Sequence, residues 1–451
     1  MKWQGNVRRF GHIEIVSLAT FVWLLSCSQN ALSDDATRPN PSGAASQSTP
    51  VDQSQPERGP FAIAGQVVNE QGQPEVGVVV RLLAGDQSKA LTSDAEGKFQ
   101  FLWSRPDWIF GLITAQNADG SLQGISSFHQ RPQELLRLTL KPARECQIAV
   151  TDSQGAPVAE ARVLVLQGAF FWRLVDGLTD VQGKLLVRVP ADSTVSQVVA
   201  FKSRVGFDYY STLPARQSPD RDVLPASVSL KLVGARVAHV KVTDSAGRPV
   251  AGLRLYPENI ELPGKPESIN LFASIDLVGT TTDESGVATF DYLPLEVVRG
   301  VEFSLLSPHF HPLTPPLLMS GGSDELTLPV LRTTKLSGQV TFADGRPAAG
   351  FVVSADGTGK SLRGGRRKVF TNSAGEYEML TNSEEAYIVS IADDQWAAPS
   401  RDGVIVREDR PVNGIDFVLD RGTIVRGRVT IGSDGRPGSN AHVYLRQIGA
   451  E

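Results

Sequence analysis

From residue 61 onward, short runs alternate apolar and polar side chains with a period of two, the pattern of β-strands that turn one face to a core. Four runs align: Ile63, Gly65, Val67; Cys146, Ile148, Val150; Ala238, Val240, Val242; and Leu336, Gly338, Val340. The positions between them, Ala64/Gln66, Gln147/Ala149, His239/Lys241 and Ser337/Gln339, mark the opposite face. Each run leads into a Gly-x-Pro turn, at Gly72/Pro74, Gly155/Pro157, Gly247/Pro249 and Gly345/Pro347, and a fifth such turn stands at Gly435/Pro437. Glycine permits a positive φ there, and proline removes a ladder donor where the chain leaves the strand. The alternation resumes in a second strand at Val78/Val80, Ala161/Val163, Leu253/Leu255, Phe351/Val353 and Ala441/Val443.

A second motif follows in four of the segments: Ser93-Asp94-x-x-Gly97, Thr179-Asp180-x-x-Gly183, Thr282-Asp283-x-x-Gly286 and Thr371-Asn372-x-x-Gly375. Asp or Asn followed three residues later by Gly reads as an Asx turn leading into a new strand, whose inward residues are Phe99/Phe101, Leu185/Val187, Ala288/Phe290 and Tyr377/Met379. Each segment then closes on a run such as Leu136–Leu140, Val228–Leu232, Leu326–Leu328 or Ile415–Leu419. The turn prolines are spaced by 83, 92, 98 and 90 residues, too far apart for a solenoid unit and close to the ~100 residues of a small sandwich domain. The predicted fold is all-β, a tandem array of small antiparallel Ig-like or transthyretin-like β-sandwich domains. Its repeats occupy 61–142, 143–234, 235–333 and 334–421. Residues 422–451 supply one turn and two strands of a fifth repeat but no second hairpin, which reads as an incomplete unit and points to a longer natural chain.

Composition strengthens this picture. Among 451 residues there are 42 Gly and 28 Pro against three Met, which favours many strands and turns over long helices. A net charge of -5 gives no broad basic field, so nothing global favours nucleic acid or an anionic surface.

The G-x-V strand, the G-x-P turn and the T-D-x-x-G-x-F hairpin together resemble carboxypeptidase regulatory-like domains, over roughly 61–451 and most clearly in the first and fourth repeats. Repeats two and three depart from the pattern, with Ile148 and Val240 in place of the first glycine. The resemblance implies a transthyretin-like, carbohydrate-binding-like sandwich with an accessory or binding role, and it brings no shared catalytic residues.

The N-terminus follows other rules. Lys2, Arg8 and Arg9 precede an apolar run from Ile15 to Leu25, which is too short to cross a ~30 Å hydrocarbon core as a helix. It ends Leu24-Leu25-Ser26-Cys27, which resembles a bacterial lipobox, so residues 1–27 read as a signal peptide and Cys27 as the lipidation site. Residues 28–60 have no aromatic residue and only Leu32 and Val51 as large aliphatics. They read as a disordered tether with an end-to-end distance on the order of 30 Å. Ser28 rather than Asp after the lipidated cysteine favours the outer membrane by the same resemblance. The remaining cysteine, Cys146, has no partner for an intramolecular disulfide once Cys27 is lipidated, and its inward register predicts a buried thiol.

Candidate chemistry is sparse. The run Ser354-Ala-Asp-Gly-Thr-Gly-Lys360-Ser361 approaches a phosphate-binding loop, but Ser354 replaces the first glycine and no helix pattern follows, so an exposed loop is expected. His309-Phe310-His311 has metal-like spacing without a nearby carboxylate or cysteine, and a metal-free loop is expected. The turn residues Asp94, Asp180 and Asp283 offer too few carboxylates for calcium. There is no H-E-x-x-H, no G-x-S-x-G and no Cys close to a His, so no catalytic residue, metal or cofactor is assigned. Trp108, Trp172 and Trp396 are the candidate ligand-stacking residues, since aromatic faces suit sugar C–H patches. The expectation is a non-catalytic envelope lipoprotein, held at the membrane by its lipid and binding an envelope protein or polysaccharide, with no nucleic-acid partner. The alternative is the accessory part of an enzyme whose catalytic domain lies beyond Glu451 or on another chain.

Overall fold

The computed structural model describes residues 61–84, 87–104, 111–128, 132, 134–168, 172–212, 224–314, 317–359, 366–393, 395–422, 427–431 and 436–437. The described residues from 61 to 422 belong to one compact unit. Within it each repeat is a pair of facing sheets built on the same plan. In the first repeat the opening strand Phe61–Val68 lies between Lys98–Trp103, antiparallel to it, and the closing strand Leu136–Thr139, parallel to it. The second, third and fourth repeats repeat this triplet around Arg144–Asp152, Ala235–Thr243 and Thr334–Phe342. The facing sheets are antiparallel and are built on Val79–Ala84, Arg162–Gln167, Arg254–Ile260 and Val352–Gly357. The architecture is thus a tandem array of β-sandwiches, antiparallel except for one parallel pair in each repeat. That exception arises because the closing strand enters the sheet beside the opening one and runs the same way, a pairing that alternation along the chain does not reveal.

The two-residue pattern turns inward as expected. Ile63, Cys146, Ile148, Ala238, Val240, Leu336 and Val340 are fully buried, while the residues between them are partly or fully exposed. The two turn motifs lock onto each other. In every repeat the N–H of the last inward residue of the opening strand (Val67, Val150, Val242, Val340) donates to the carbonyl of the hairpin glycine (Gly97, Gly183, Gly286, Gly375). Those glycines have φ of 70°, 69°, 78° and 73°, and an added Cβ would lie 2.3–2.8 Å from the valine carbonyls, so glycine is required on both counts.

The departures from the G-x-V pattern are a matter of volume across one strand pair. Gly65 faces Phe99 and Gly338 faces Tyr377, whereas Ile148 faces Leu185 and Val240 faces Ala288. At Gly65 the Phe99 ring comes within 2.4 Å of where a Cβ would stand, whereas at Gly338 the Ile415 backbone stands closest, at 2.1 Å; where the glycine is replaced the facing side chain is smaller than an aromatic ring.

The repeats do not have wholly separate cores. Leu164, Leu166, Val199, Phe201, Phe207 and Tyr209 of the second repeat belong to the same buried cluster as the interior of the third. Polar contacts ring this shared core. Arg173 makes a bidentate pair with Asp276 at 2.7 and 2.9 Å, Lys265 pairs with Asp208 at 2.7 Å, and Gln197 Nε2 donates to the Ser268 carbonyl at 3.0 Å. The first and fourth repeats keep cores of their own. Farther along, Thr430–Ile431 pairs antiparallel with Arg436–Pro437, Thr430 opposite Pro437.

Candidate functional site

The hairpin aspartates are turn residues. Oδ1 of Asp94, Asp180 and Asp283, and of Asn372, accepts the N–H groups two and four residues ahead, at 2.7–3.0 Å. The oxygen a cation would use is already occupied by backbone donors. The residue before each of them has a role that the sequence pattern did not disclose. The hydroxyls of Ser93, Thr179, Thr282 and Thr371 are buried. Each donates to a carbonyl just after the Gly-x-Pro turn and accepts an N–H from the residue just before the second strand, at 2.6–3.0 Å. A hydroxyl in this position was legible as a repeated Ser/Thr, yet only the fold shows that it pins two segments far apart in sequence.

The other candidate motifs also resolve. Ser354 lies in the strand Val352–Gly357, and the Gly359 N–H donates to Glu385 Oε1 at 3.1 Å, so a carboxylate already stands where a phosphate would need that donor. Residues 360–365 lie outside the described residues. His311 turns to the neighbouring repeat, where its Nε2 accepts the Ser383 N–H at 3.0 Å. No group of His, Cys, Asp and Glu suited to a metal occurs among the described residues. Cys146 is fully buried, and burial pushes its thiol up to about 11, which suppresses the nucleophilic thiolate.

Of the three tryptophans, Trp108 lies outside the described residues, as do Cys27, the N-terminal segment 1–60, Ala441 and Val443. Trp172 is only 4% exposed, so it offers no open face on which a sugar could stack, and its expected ligand role is corrected to one in the interior. Trp396 is half-buried. Its ring meets Phe342 edge-on at 4.6 Å, and the Arg421 guanidinium lies 4.8 Å from its centroid. The equivalent cross-strand position in the third repeat carries Phe310 with Arg332 at 5.2 Å, so Trp396 reproduces a repeated cation–π pair and its ring is largely covered.

What the fold does bring together is a polar cleft of about 280 Å³ between the first and second repeats. Arg81, Thr114 and Gln116 line it from the first repeat, and Asp176, Leu186 and Arg188 from the second. Neighbouring strands put Arg81 directly opposite Thr114, two residues from Gln116. These three side chains make no hydrogen bond or ion pair among the described residues. Across the cleft the charges are engaged: Asp176 pairs with Arg162 at 3.4 Å, and Arg188 with Glu145 at 2.9 Å. Arg188 also donates to the Asp119 carbonyl at 3.3 Å, and Lys141 pairs with Asp192 at 2.7 Å, so the second repeat is tied to the first by two polar contacts. One wall therefore offers unengaged donors and acceptors, and the other is held in place.

No family model and no curated protein matches the chain. Among solved structures it is similar to the Bacillus anthracis TIE protein, at 11% identity over 82% of this chain and 76% of that one, with a TM-score of 0.17. It is also similar to a streptococcal ancillary pilin, at 10% identity over 61% and 99% of the two chains, with a TM-score of 0.24. For the minor pilin GBS52 of Streptococcus agalactiae the figures are 13%, 42% and 100%, and 0.24. Likeness at this level says nothing of activity or partners. The fold itself defines the class: a tandem array of small β-sandwiches.

Proposed function

We propose that this protein is a non-catalytic array of the cell envelope, anchored through a lipid on Cys27, whose carboxypeptidase regulatory-like sandwiches act as a spacer and bind a polysaccharide at the junction of the first two repeats. The observation that carries the reading is the cleft there, where Arg81, Thr114 and Gln116 present unengaged polar groups against a wall fixed by ion pairs. Sugars are bound by such side-by-side donors and acceptors, because every hydroxyl removed from water needs a replacement partner. Contacts that join successive repeats, above all the core shared by the second and third, suit a spacer whose repeats hold one another in fixed order.

A glycan-binding screen with the full chain tests the reading. Binding that falls at least tenfold in Arg81→Ala and Gln116→Ala variants supports it, while no binding to any glycan leaves only the spacer role. The anchor is tested separately, by intact-mass analysis of the membrane fraction for an acylated peptide that begins at Cys27.

A further inference from the structure

We infer that the junction between the third and fourth repeats is an acid-released clasp, closed by the neutral ring of His311 accepting the buried backbone N–H of Ser383. His311 sits on the short strand Phe310–Pro312 of the third repeat, and Ser383 lies in the turn between Glu376–Thr381 and Glu385–Ala392 of the fourth. The Ser383 N–H is 3.0 Å from His311 Nε2, and the residue is only 2% exposed, so water cannot readily replace the ring as its acceptor. The Ser383 hydroxyl donates to the Arg332 carbonyl at 2.7 Å, and the Arg332 N–H donates to Glu408 at 2.9 Å. His311 thus belongs to a small set of bonds that cross the junction.

Acceptance at Nε2 demands a neutral ring whose one proton is on Nδ1. A second proton would place an N–H on Nε2, facing the Ser383 N–H. The protonated nitrogen could still donate to Ser383 Oγ, 3.2 Å away, but the backbone donor would be left without its acceptor.

The charged surroundings do not prevent this. Burial is the largest influence on the ring and disfavours its charged form. Arg367 of the fourth repeat acts the same way, while the Pro312 backbone, Glu385 and Glu408 favour the cation. Both carboxylates are already engaged, Glu385 by the Gly359 N–H and Glu408 by the Arg332 N–H. Arg332 lies over Phe310, and Arg407 pairs with Glu384. The closed junction therefore titrates below the value of about 6.5 for a free histidine. A group whose closed-state pKa is lowered stabilises the closed form above that free value, and its contribution is lost as pH falls through the closed-state pKa.

Hydrogen exchange on the full chain, read by mass spectrometry at about pH 7.5 and about pH 5.5 and corrected for intrinsic rates, tests the clasp. Peptides spanning residues 380–386 should lose protection on acidification, by up to about tenfold per pH unit below about 6.5, while peptides around His239 should not. His311→Gln retains a side-chain acceptor that does not titrate and should abolish the pH response while keeping protection. His311→Ala should expose the same peptides at both pH values. Equal protection at both pH values in the wild-type chain, or a wild-type pH response in His311→Gln, would overturn the inference.

Discussion

Replacing Gly65 with Ala should destabilise the first repeat, although a glycine in an ordinary extended conformation normally gains stability from that change. Ala lowers the entropy of the unfolded chain, an effect of about 0.4–1 kcal/mol in its favour. Against this, the new Cβ would lie 2.3 Å from the Leu136 carbonyl oxygen and 2.4 Å from Cζ of Phe99, where something must move by close to an ångström. The ring can turn, but the carbonyl belongs to the closing strand, whose parallel pairing with Phe61–Val68 would have to loosen. Overpacking of this kind costs about 1–3 kcal/mol, so a net loss of about 1–2 kcal/mol is expected.

Truncating the facing ring separates the two contacts. Phe99→Leu alone should cost about 1–2 kcal/mol through lost burial, since Phe99 is only 5% exposed. Because it also relieves the ring contact, the double variant should be more stable than the sum of the single losses by about 0.5–1 kcal/mol. It should still fall short of the wild type, because the carbonyl remains. The assay is native-state hydrogen exchange of the amides in Phe61–Val68, which reports opening of this repeat alone. A Gly65→Ala variant as stable as the wild type or more so would refute the close-approach argument, and strict additivity would show that the ring plays no part in it.

Other changes have equally definite outcomes. Thr179→Val should cost more than Asp180→Ala in denaturant midpoint, about 2–3 against about 1 kcal/mol, because the threonine leaves two buried backbone groups unpaired whereas the exposed Asp180 bonds pass to water. Cys146 should resist a thiol reagent in the native chain and react on denaturation, and rapid native labelling would contradict its fully buried position. Arg173→Ala should weaken the union of the second and third repeats by about 1 kcal/mol at most, since Asp276 is well exposed, and the wild-type pair should weaken in high salt. Burial is the largest single influence on the Asp276 carboxyl and pushes it up, but the hydrogen bonds and charge of Arg173, a backbone hydrogen bond and the charge of Arg254 together hold it below its usual range. Its contribution is present above pH of about 4 and is lost as pH falls through the lowered value, which an acid titration of the unfolding midpoint checks.

The sequence by itself determined the repeat, the strand faces and the two turns, because each depends on residues near one another along the chain. Alternation with period two places Ile63, Cys146, Ala238 and Leu336 inward whatever they touch, and an Asp three residues before a Gly makes its own local bonds. Three things rested on partners distant in sequence, which only the tertiary structure supplied. The parallel seating of the closing strand beside the opening one was one, and with it the close approach of the Leu136 and Ile415 carbonyls to the glycines at 65 and 338. The merging of the second and third cores was another, for the residues that do it, such as Phe207 and Tyr209, look like ordinary strand residues until a neighbouring repeat covers them. The last was the fate of the polar and aromatic candidates. Trp172 has the composition of a sugar platform and a buried position, His311 has the spacing of a metal ligand and a backbone N–H for a partner, and Arg81 and Gln116, inconspicuous in sequence, are brought to an open cleft by the packing of two repeats.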